Sequence, residues 1–284
     1  MKVVRAEVMG MCFGVRDALK IIDKIPDPQS VTIHGELVHN ETVLIQLDAS
    51  GFMRSDEHAR HDVPETPVVL ITAHGVSDRE RIRLAEAGKQ LVDTTCPLVT
   101  RVHQAALSLQ KQGYFVVVIG RRGHVEVQGI IEDLERFEVV STEEEARCYP
   151  AERIGIVCQT TTPARTVARI REAINRHNPD AEIRFVDTVC LPTKEHQRSL
   201  ERLLEQVEAM VVVGGSNSNN TRELVKLGLE RGIPSIHVQG PNDLDPEWLA
   251  RFDTIGLTAG TSTLDSTIDE VHQAMLQMRV KVEA

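Results

Sequence analysis

A five-residue pattern that ends in cysteine occurs twice in the chain, and it constrains the fold more than any other feature. Val92–Cys96 reads VDTTC, and Val186–Cys190 reads VDTVC 94 residues later. A His-Gln pair follows each cysteine within seven residues. Farther along, IGI at Ile154–Ile156 with three threonines after it recurs as IGL at Ile255–Leu257 with Thr-Ser-Thr after it. Matched order and spacing indicate a structural repeat, so we infer two related units of about 95 residues.

Apolar runs alternate with amphipathic stretches along the whole chain. This alternation is typical of an α/β protein with parallel sheets. The clearest predicted strands are Val68–Ile71, Phe115–Ile119, Ile154–Val157, Met210–Val213 and Thr254–Leu257. The clearest predicted helices are Asp78–Ala87, Leu98–Gln112, Thr166–His177, Glu195–Gln206 and Asn220–Arg231.

The segment before Cys96 has the size of one more unit. It begins with its own strand-like segment, which leads to Cys12. We therefore predict three pseudo-repeated α/β lobes arranged like a trefoil, with boundaries at 1–95, 96–189 and 190–284. The first lobe includes the N-terminal strand and Cys12. Because open parallel sheets bind ligands at the carboxyl ends of their strands, three equivalent cysteines can converge on one central point.

Composition excludes several classes of function. A net charge of −10 argues against a protein that grips nucleic-acid phosphates, and 3% aromatic residues argue against a base-stacking surface. The N-terminus lacks the apolar core of a signal peptide, and no apolar run approaches the roughly 20 residues of a membrane span. No phosphate-binding glycine motif of the nucleotide-binding types is present. We expect a cytoplasmic protein with no nucleic-acid or membrane partner.

The cysteines leave three interpretations open. Five cysteines, none in a C-x-x-C pair, do not indicate a disulfide framework. Cys12, Cys96 and Cys190 can be buried thiols, a zinc site completed by a histidine, or ligands of an iron–sulfur cluster. Zinc ligands usually come in close pairs, which are absent here. A four-iron cluster with three ligands has one open iron, which can act as a Lewis acid. Cys148 and Cys158 lie outside the pattern, and Cys158 is expected to be a core residue.

Polar residues collect where predicted strands end. His39, His74 and His124 can donate hydrogen bonds to phosphate oxygens, although each alone has an ordinary structural interpretation. Ser216–Thr221 is a run of hydroxyl and amide side chains at a predicted helix start, which favours an anion site over a simple N-cap. Glu126 is either a helix-start residue or ion-pair partner, or else a general acid.

Nine short motifs occur in the order that is found in one known family. They are G-x-C-F-G-V at Gly10–Val15, V-H-N at Val38–Asn40, A-H-G at Ala73–Gly75, T-C-P at Thr95–Pro97, G-H-x-E-V at Gly123–Val127, Q-T-T at Gln159–Thr161, D-T-x-C at Asp187–Cys190, N-S-x-N-T at Asn217–Thr221 and A-G-x-S-T at Ala259–Thr263. The chain thereby resembles the LytB/IspH family of hydroxymethylbutenyl diphosphate reductases. That family performs the last step of the non-mevalonate isoprenoid pathway.

The resemblance implies roles for specific residues. Cys12, Cys96 and Cys190 would hold one [4Fe–4S] cluster with an open iron, at the centre of a three-lobed α/β fold. The implied diphosphate contacts are His39, His74, His124, Ser218, Asn219, Asn220 and Ser262. Glu126 would supply a proton, Thr160 would lie near the substrate hydroxyl, and His124 is counted with these two as catalytic. The implied products are isopentenyl and dimethylallyl diphosphate, with ferredoxin or flavodoxin as the electron donor.

A few positions depart from the family pattern. Val125, Leu191-Pro192, His196 and Leu264 stand where other residues are usual. They lie beside predicted site residues, so they bear on the identity of the substrate. The alternatives are a related cluster enzyme that acts on another small diphosphate, or a cluster sensor without turnover.

Overall fold

The computed structural model describes residues 2–57, 60 and 62–282. Its strands are β1 Lys2–Arg5, β2 Val31–Ile33, β3 Met53–Arg54, β4 Val68–Ile71, β5 Gln90–Asp93, β6 Phe115–Ile119, β7 Phe137–Val140, β8 Arg153–Cys158, β9 Glu182–Phe185, β10 Ala209–Val213, β11 Ser235–Val238 and β12 Thr254–Ala259. Its α-helices are α1 Phe13–Ile22, α2 Glu41–Ala49, α3 Asp78–Glu86, α4 Pro97–Lys111, α5 Val125–Ile131, α6 Ala164–His177, α7 Leu191–Leu204, α8 Asn219–Glu230, α9 Pro246–Leu249 and α10 Asp265–Val282. Short 3₁₀ turns lie at Pro28–Ser30, Glu143–Glu145 and Pro241–Asp243.

The strands form three four-stranded sheets of the same topology. Sheet 1 has the order β3-β2-β4-β5, sheet 2 the order β7-β6-β8-β9, and sheet 3 the order β11-β10-β12-β1. The described strand pairs are parallel in all three. The predicted α/β class with parallel sheets is therefore confirmed, and the internal repeat corresponds to a repeated sheet.

The N-terminal strand differs from its predicted place. The sequence boundaries assign β1 to the first lobe, whereas it pairs with β12 in sheet 3, with Lys2 opposite Thr254 and Arg5 opposite Leu257. The physical reason is the repeat itself. Sheets 1 and 2 each take their fourth strand from the residues that follow the third, but sheet 3 is the last in the chain and takes its fourth strand from the N-terminus. The boundaries at 95 and 189 stay a prediction.

The chain divides into two compact units. One consists of Met1–Val15, His39–Gln46 and Leu191–Ala284, and it contains sheet 3. The other consists of Arg16–Val38 and Leu47–Cys190, and it contains sheets 1 and 2.

Sheet 3 is covered by apolar side chains on both faces, as expected for a parallel sheet. Along β10, Val211 and Val213 belong to one core cluster with residues of α10, while Met210 and Val212 belong to another with residues of α7 and α8. Alternate side chains of a strand point to opposite faces, so a continuous apolar run supplies both cores. Sheet 2 has the same arrangement, with α6 on one face and α4 and α5 on the other.

Most predicted helices match to within a few residues, but α7 begins four residues earlier than predicted, directly after Cys190. Pro192 lies in its first turn, where the missing N–H of proline costs nothing because the first amides of a helix have no partner within it. Pro97 plays the same part at the start of α4. Across the described helices, none combines the length and the apolar character needed to cross a membrane.

Candidate functional site

The three repeated cysteines occupy equivalent positions, one on each sheet. Each follows an edge strand, β1, β5 or β9, and each directly precedes a helix, α1, α4 or α7. Each backbone N–H donates to a carbonyl two residues beyond the end of the neighbouring strand. These bonds run from Cys12 to Thr261 (2.9 Å), from Cys96 to Ala73 (3.1 Å) and from Cys190 to Thr160 (3.0 Å). The equivalence predicted from the sequence thus extends to the third cysteine.

All five cysteines lie in the described residues, and none forms a disulfide. Cys12, Cys96 and Cys190 are half-buried, so each thiol is accessible to a ligand. A position at a helix N-terminus favours negative charge, which suits a thiolate. Cys158 is fully buried in β8, as expected for a core residue, and Cys148 is exposed. Among the residues that the structure describes, no three His, Cys, Asp or Glu side chains form a group that can hold a metal ion.

In the unit that contains sheets 1 and 2, Glu126 pairs with Thr160 through two hydrogen bonds. The backbone N–H of Thr160 donates to Oε1 at 2.7 Å, and its Oγ1 donates to Oε2 at 2.8 Å. Glu126 is 2% exposed and Thr160 is 6% exposed. The carbonyl of Thr160 also accepts the N–H of Cys190. A carboxyl group, a hydroxyl group and a cysteine therefore meet at one residue.

His124 caps helix α5 and holds the start of the helix that carries the acid. Its Nδ1 accepts from the N–H of Glu126 at 3.1 Å, which leaves Nε2–H as the donor in the neutral ring. The ring of His74 meets it edge to face, with centroids 5.7 Å apart. Gly75 and Gly123 flank the two histidines with φ of +70° and +78°. Residues with a side chain rarely adopt a positive φ, so both motifs require glycine at these two positions.

The unit that contains sheet 3 carries the hydroxyl and amide side chains predicted to contact the diphosphate, at the ends of β10 and β12. Ser218 caps helix α8, and its Oγ accepts from the N–H of Thr221 at 3.2 Å. Asn220 is 3% exposed, and its Nδ2 makes no hydrogen bond among the described residues. A buried amide donor without an acceptor is costly unless a ligand supplies one. The Oγ of Ser262 donates to the carbonyl of His39 at 3.2 Å.

The predicted site residues thus fall into two groups, each described within its own unit. One unit carries Cys12, His39, Ser218, Asn219, Asn220 and Ser262. The other carries Cys96, Cys190, His74, His124, Glu126 and Thr160. The roles assigned to them remain predictions.

Two buried polar residues of the motifs make contacts that the sequence did not predict. Asn40 is buried, and its Nδ2 donates to the carbonyl of Ser262 at 2.8 Å. Thr221 is fully buried between Gly214 and Gly260, and a Cβ at either glycine would overlap its Oγ1. The sequence placed both residues at strand ends but gave no signal for the contacts that they make.

The repeated histidines that follow Cys96 and Cys190 are helix residues that face inward. Burial lowers the pKa of His103. Burial also lowers the pKa of His196 to about 4, opposed by a hydrogen bond to the backbone of Ala259. Both rings are therefore neutral near pH 7. His196, one of the departures from the family pattern, is 4% exposed, whereas Leu191, another departure, is 58% exposed.

Comparisons with known proteins indicate one family. The family model described as LytB protein matches residues 3–276. A 4-hydroxy-3-methylbut-2-enyl diphosphate reductase of Methylibium petroleiphilum is 34% identical over 95% of this chain and 83% of its own length. The reductase of that name from Pelobacter propionicus is also 34% identical, over 95% of this chain and 96% of its own.

Two solved structures share the fold. The E-1-hydroxy-2-methyl-but-2-enyl-4-diphosphate reductase of Plasmodium falciparum superposes with a TM-score of 0.87 at 25% identity, over 96% of this chain and 87% of that one. The second is a structure of (E)-4-hydroxy-3-methyl-but-2-enyl diphosphate reductase, described as the terminal enzyme of the non-mevalonate pathway. It superposes with a TM-score of 0.67 at 30% identity, over 98% of this chain and 100% of that one. The repeated cysteines, the nine motifs and these matches agree, and the chain belongs to the LytB protein family, together with these diphosphate reductases.

Proposed function

We propose that this protein converts 4-hydroxy-3-methylbut-2-enyl diphosphate to isopentenyl and dimethylallyl diphosphate, the terminal reaction of the non-mevalonate pathway. Its family and its relatives make it an oxidoreductase with a diphosphate substrate. The observation that carries the proposal is the meeting of Glu126, Thr160 and Cys190 at one buried point. Replacing a C–OH bond by C–H takes two electrons and two protons and releases water, so the site needs a redox group beside a proton donor.

The donor set fits an iron–sulfur cluster. Cysteine thiolates are the usual ligands of such clusters, and three half-buried cysteines stand at equivalent helix starts on three sheets. We propose that Cys12, Cys96 and Cys190 hold one [4Fe–4S] cluster, in which one iron has no protein ligand. When bound, the cluster supplies electrons and Lewis acidity. Ferredoxin or flavodoxin is the proposed donor of those electrons, and the cytoplasmic location stays a prediction.

Glu126 and Thr160 are proposed to deliver the proton. With the carboxyl group protonated, Glu126 can donate to Thr160 Oγ1, and the threonine hydroxyl can donate in turn to the hydroxyl group that leaves the substrate. The observed 2.8 Å between Oε2 and Oγ1 is short enough for such a transfer. His124 caps the helix that carries Glu126, and its ring is proposed to contact the substrate. These three residues are the proposed catalytic group.

The diphosphate is proposed to bind to donors at the strand ends. The side chains are those of His39, His74, His124, Ser218, Asn219, Asn220 and Ser262. Support comes from the buried Nδ2 of Asn220, which lacks an acceptor among the described residues, and from the N-terminus of α8, which favours an anion. Ser262 would exchange its present acceptor, the carbonyl of His39, for a phosphate oxygen.

An anaerobic assay tests the proposal. Cluster-loaded protein with a chemically reduced mediator should consume 4-hydroxy-3-methylbut-2-enyl diphosphate and release both products. Absence of turnover with full cluster loading would refute this substrate. Complementation of a strain that lacks the last enzyme of the pathway then separates this reductase from a related enzyme acting on another diphosphate.

A further inference from the structure

Glu41, the first residue of helix α2, is bound to the loop that follows β10. Its Oε1 accepts from the backbone N–H of Ser216 at 3.0 Å and also from the Ser216 hydroxyl. The amide of Gln239, when its nitrogen is assigned from the surrounding donors and acceptors, donates to Oε2 at 2.9 Å. Both carboxylate oxygens are therefore occupied by donors from the sheet 3 unit, to which Glu41 itself belongs.

The loop approaches the backbone beside Glu41 too closely for a side chain. A Cβ at Gly215 would lie 2.5 Å from the carbonyl oxygen of His39 and 2.7 Å from Glu41 Oε2. Glycine is therefore required by the contact between the two backbones. The next turn depends on the same residue, since the N–H of Ser218 donates to the carbonyl of Gly215 at 3.2 Å.

His39 and Asn40, which directly precede Glu41, contact a second loop, the one that follows β12 and carries Ser262. Asn40 donates to the carbonyl of Ser262, and the carbonyl of His39 accepts from the Ser262 hydroxyl. His237 also contacts the first loop, with its Nε2 2.7 Å from the carbonyl oxygen of Gly214. The loops that carry Ser218 and Ser262 are thus held by one short segment, and the Glu41 side chain contacts the first of these loops through Ser216.

We propose that Glu41 is a positioning residue for diphosphate binding, acting through Ser216 and Gly215 on the orientation of Ser218 and Asn220. The inference rests on the proposed function, because it takes these two residues as diphosphate contacts. A negative charge near a diphosphate would oppose binding, but this carboxylate is satisfied by three donors and is directed at the loop. Its effect is to hold donors in place before the ligand arrives, which lowers the ordering cost of binding.

Two variants release the loop by different routes. Glu41→Ala removes the acceptor of Ser216, and Gly215→Ala forces the loop away from the carbonyl of His39. Each should raise the Kd for inorganic pyrophosphate on the cluster-loaded protein about fivefold, as expected for the loss of one or two partly exposed hydrogen bonds. Each should raise KM for the diphosphate substrate to a similar degree and leave kcat within about twofold, since no catalytic group is altered.

Conservative and matched variants separate positioning from general stability. Glu41→Gln keeps an amide oxygen for Ser216 and should restore most of the affinity. Glu270→Gln removes an exposed carboxylate from the same unit, and Gly240→Ala adds a Cβ that meets no atom within 4 Å. Both controls should bind pyrophosphate as the unaltered protein does.

The result that overturns the proposal is wild-type pyrophosphate affinity in both Glu41→Ala and Gly215→Ala. A lower kcat at unchanged KM in these variants would also overturn it. If the unaltered protein binds pyrophosphate but does not turn over the substrate, the proposed reaction fails while the role of Glu41 is still decided by the pyrophosphate titration. A protein that binds no pyrophosphate contradicts the diphosphate contacts and the role of Glu41 together.

Discussion

Thr160 satisfies both oxygens of the buried Glu126 carboxyl group, one through its backbone N–H and the other through its hydroxyl. The two residues come from different elements, since Glu126 lies in the first turn of α5 and Thr160 follows β8. Sheet 2 brings them together because β6 and β8 are neighbours whose carboxyl ends meet at one edge. The proton delivery proposed for Glu126 would therefore depend on the register of this sheet.

Replacing Glu126 by Gln should abolish most of the turnover and keep ligand binding. The amide has nearly the same shape and keeps an oxygen for the N–H of Thr160, but it cannot act as a proton donor of comparable strength. General acids contribute about 10²–10⁴-fold to rate, and we expect kcat to fall by at least about 100-fold. Pyrophosphate titration provides the control, and retained turnover would exclude Glu126 as the proton source.

Replacing Thr160 by Val should lower kcat by a smaller factor, about 10-fold or more, because it interrupts the path between Glu126 and the substrate. The backbone N–H bond to Oε1 survives, but the hydroxyl bond to Oε2 is lost, and the free energy of unfolding should fall by about 1–3 kcal/mol. Thr160→Ser keeps the hydroxyl and should retain most activity. Equal kcat values for Thr160→Val and Thr160→Ser would show that the hydroxyl takes no part in proton transfer.

Anaerobically purified protein should be brown, and Cys96→Ser should remove the visible absorption. The same loss is expected for Cys12→Ser and Cys190→Ser, because each removes one thiolate proposed to bind the cluster. Cys148→Ser is the matched control, since Cys148 is exposed and lies outside the repeat. A colourless unaltered protein that contains stoichiometric zinc would contradict the cluster.

The free energy of unfolding should decrease as the pH falls from about 6.5 to about 4, with His196 as a main cause. Its pKa is about 4 in the folded protein and near the ordinary value of 6.5 when unfolded, so between these values only the unfolded chain takes up the proton. A 2.5-unit difference corresponds to about 3 kcal/mol, lost progressively over this window. Urea unfolding at a series of pH values measures it.

His196→Gln should flatten this part of the pH profile, leaving the contributions of His34, His103 and His272, whose pKa values are also lowered by burial. His177→Gln is the control because His177 is exposed at the end of α6. An unchanged profile in His196→Gln would mean that the ring is accessible to protons in the folded state.

The local patterns of this chain were strong enough to predict most elements. The strands Val68–Ile71 and Phe115–Ile119 have the predicted bounds, because four or five consecutive apolar residues between polar turns suit a strand buried on both faces. Helix α7 was predicted too short because its first turn, Leu191–Lys194, contains a proline and an exposed leucine and so lacks the amphipathic pattern. The residues that hold the loops, such as Glu41 and Asn40, could not be predicted, because their partners are more than 170 residues away.

By itself the sequence determined the α/β class, the repeat, the three equivalent cysteines and the family, because periodicity, spacing and motif order are written along the chain. Only the tertiary structure decided that β1 completes sheet 3 beside β12, and that the N–H of Cys12 therefore donates to Thr261 as those of Cys96 and Cys190 donate to Ala73 and Thr160. Strand pairing joins residues from opposite ends of the chain through hydrogen bonds between backbones, which all residues share, so a local pattern does not encode it.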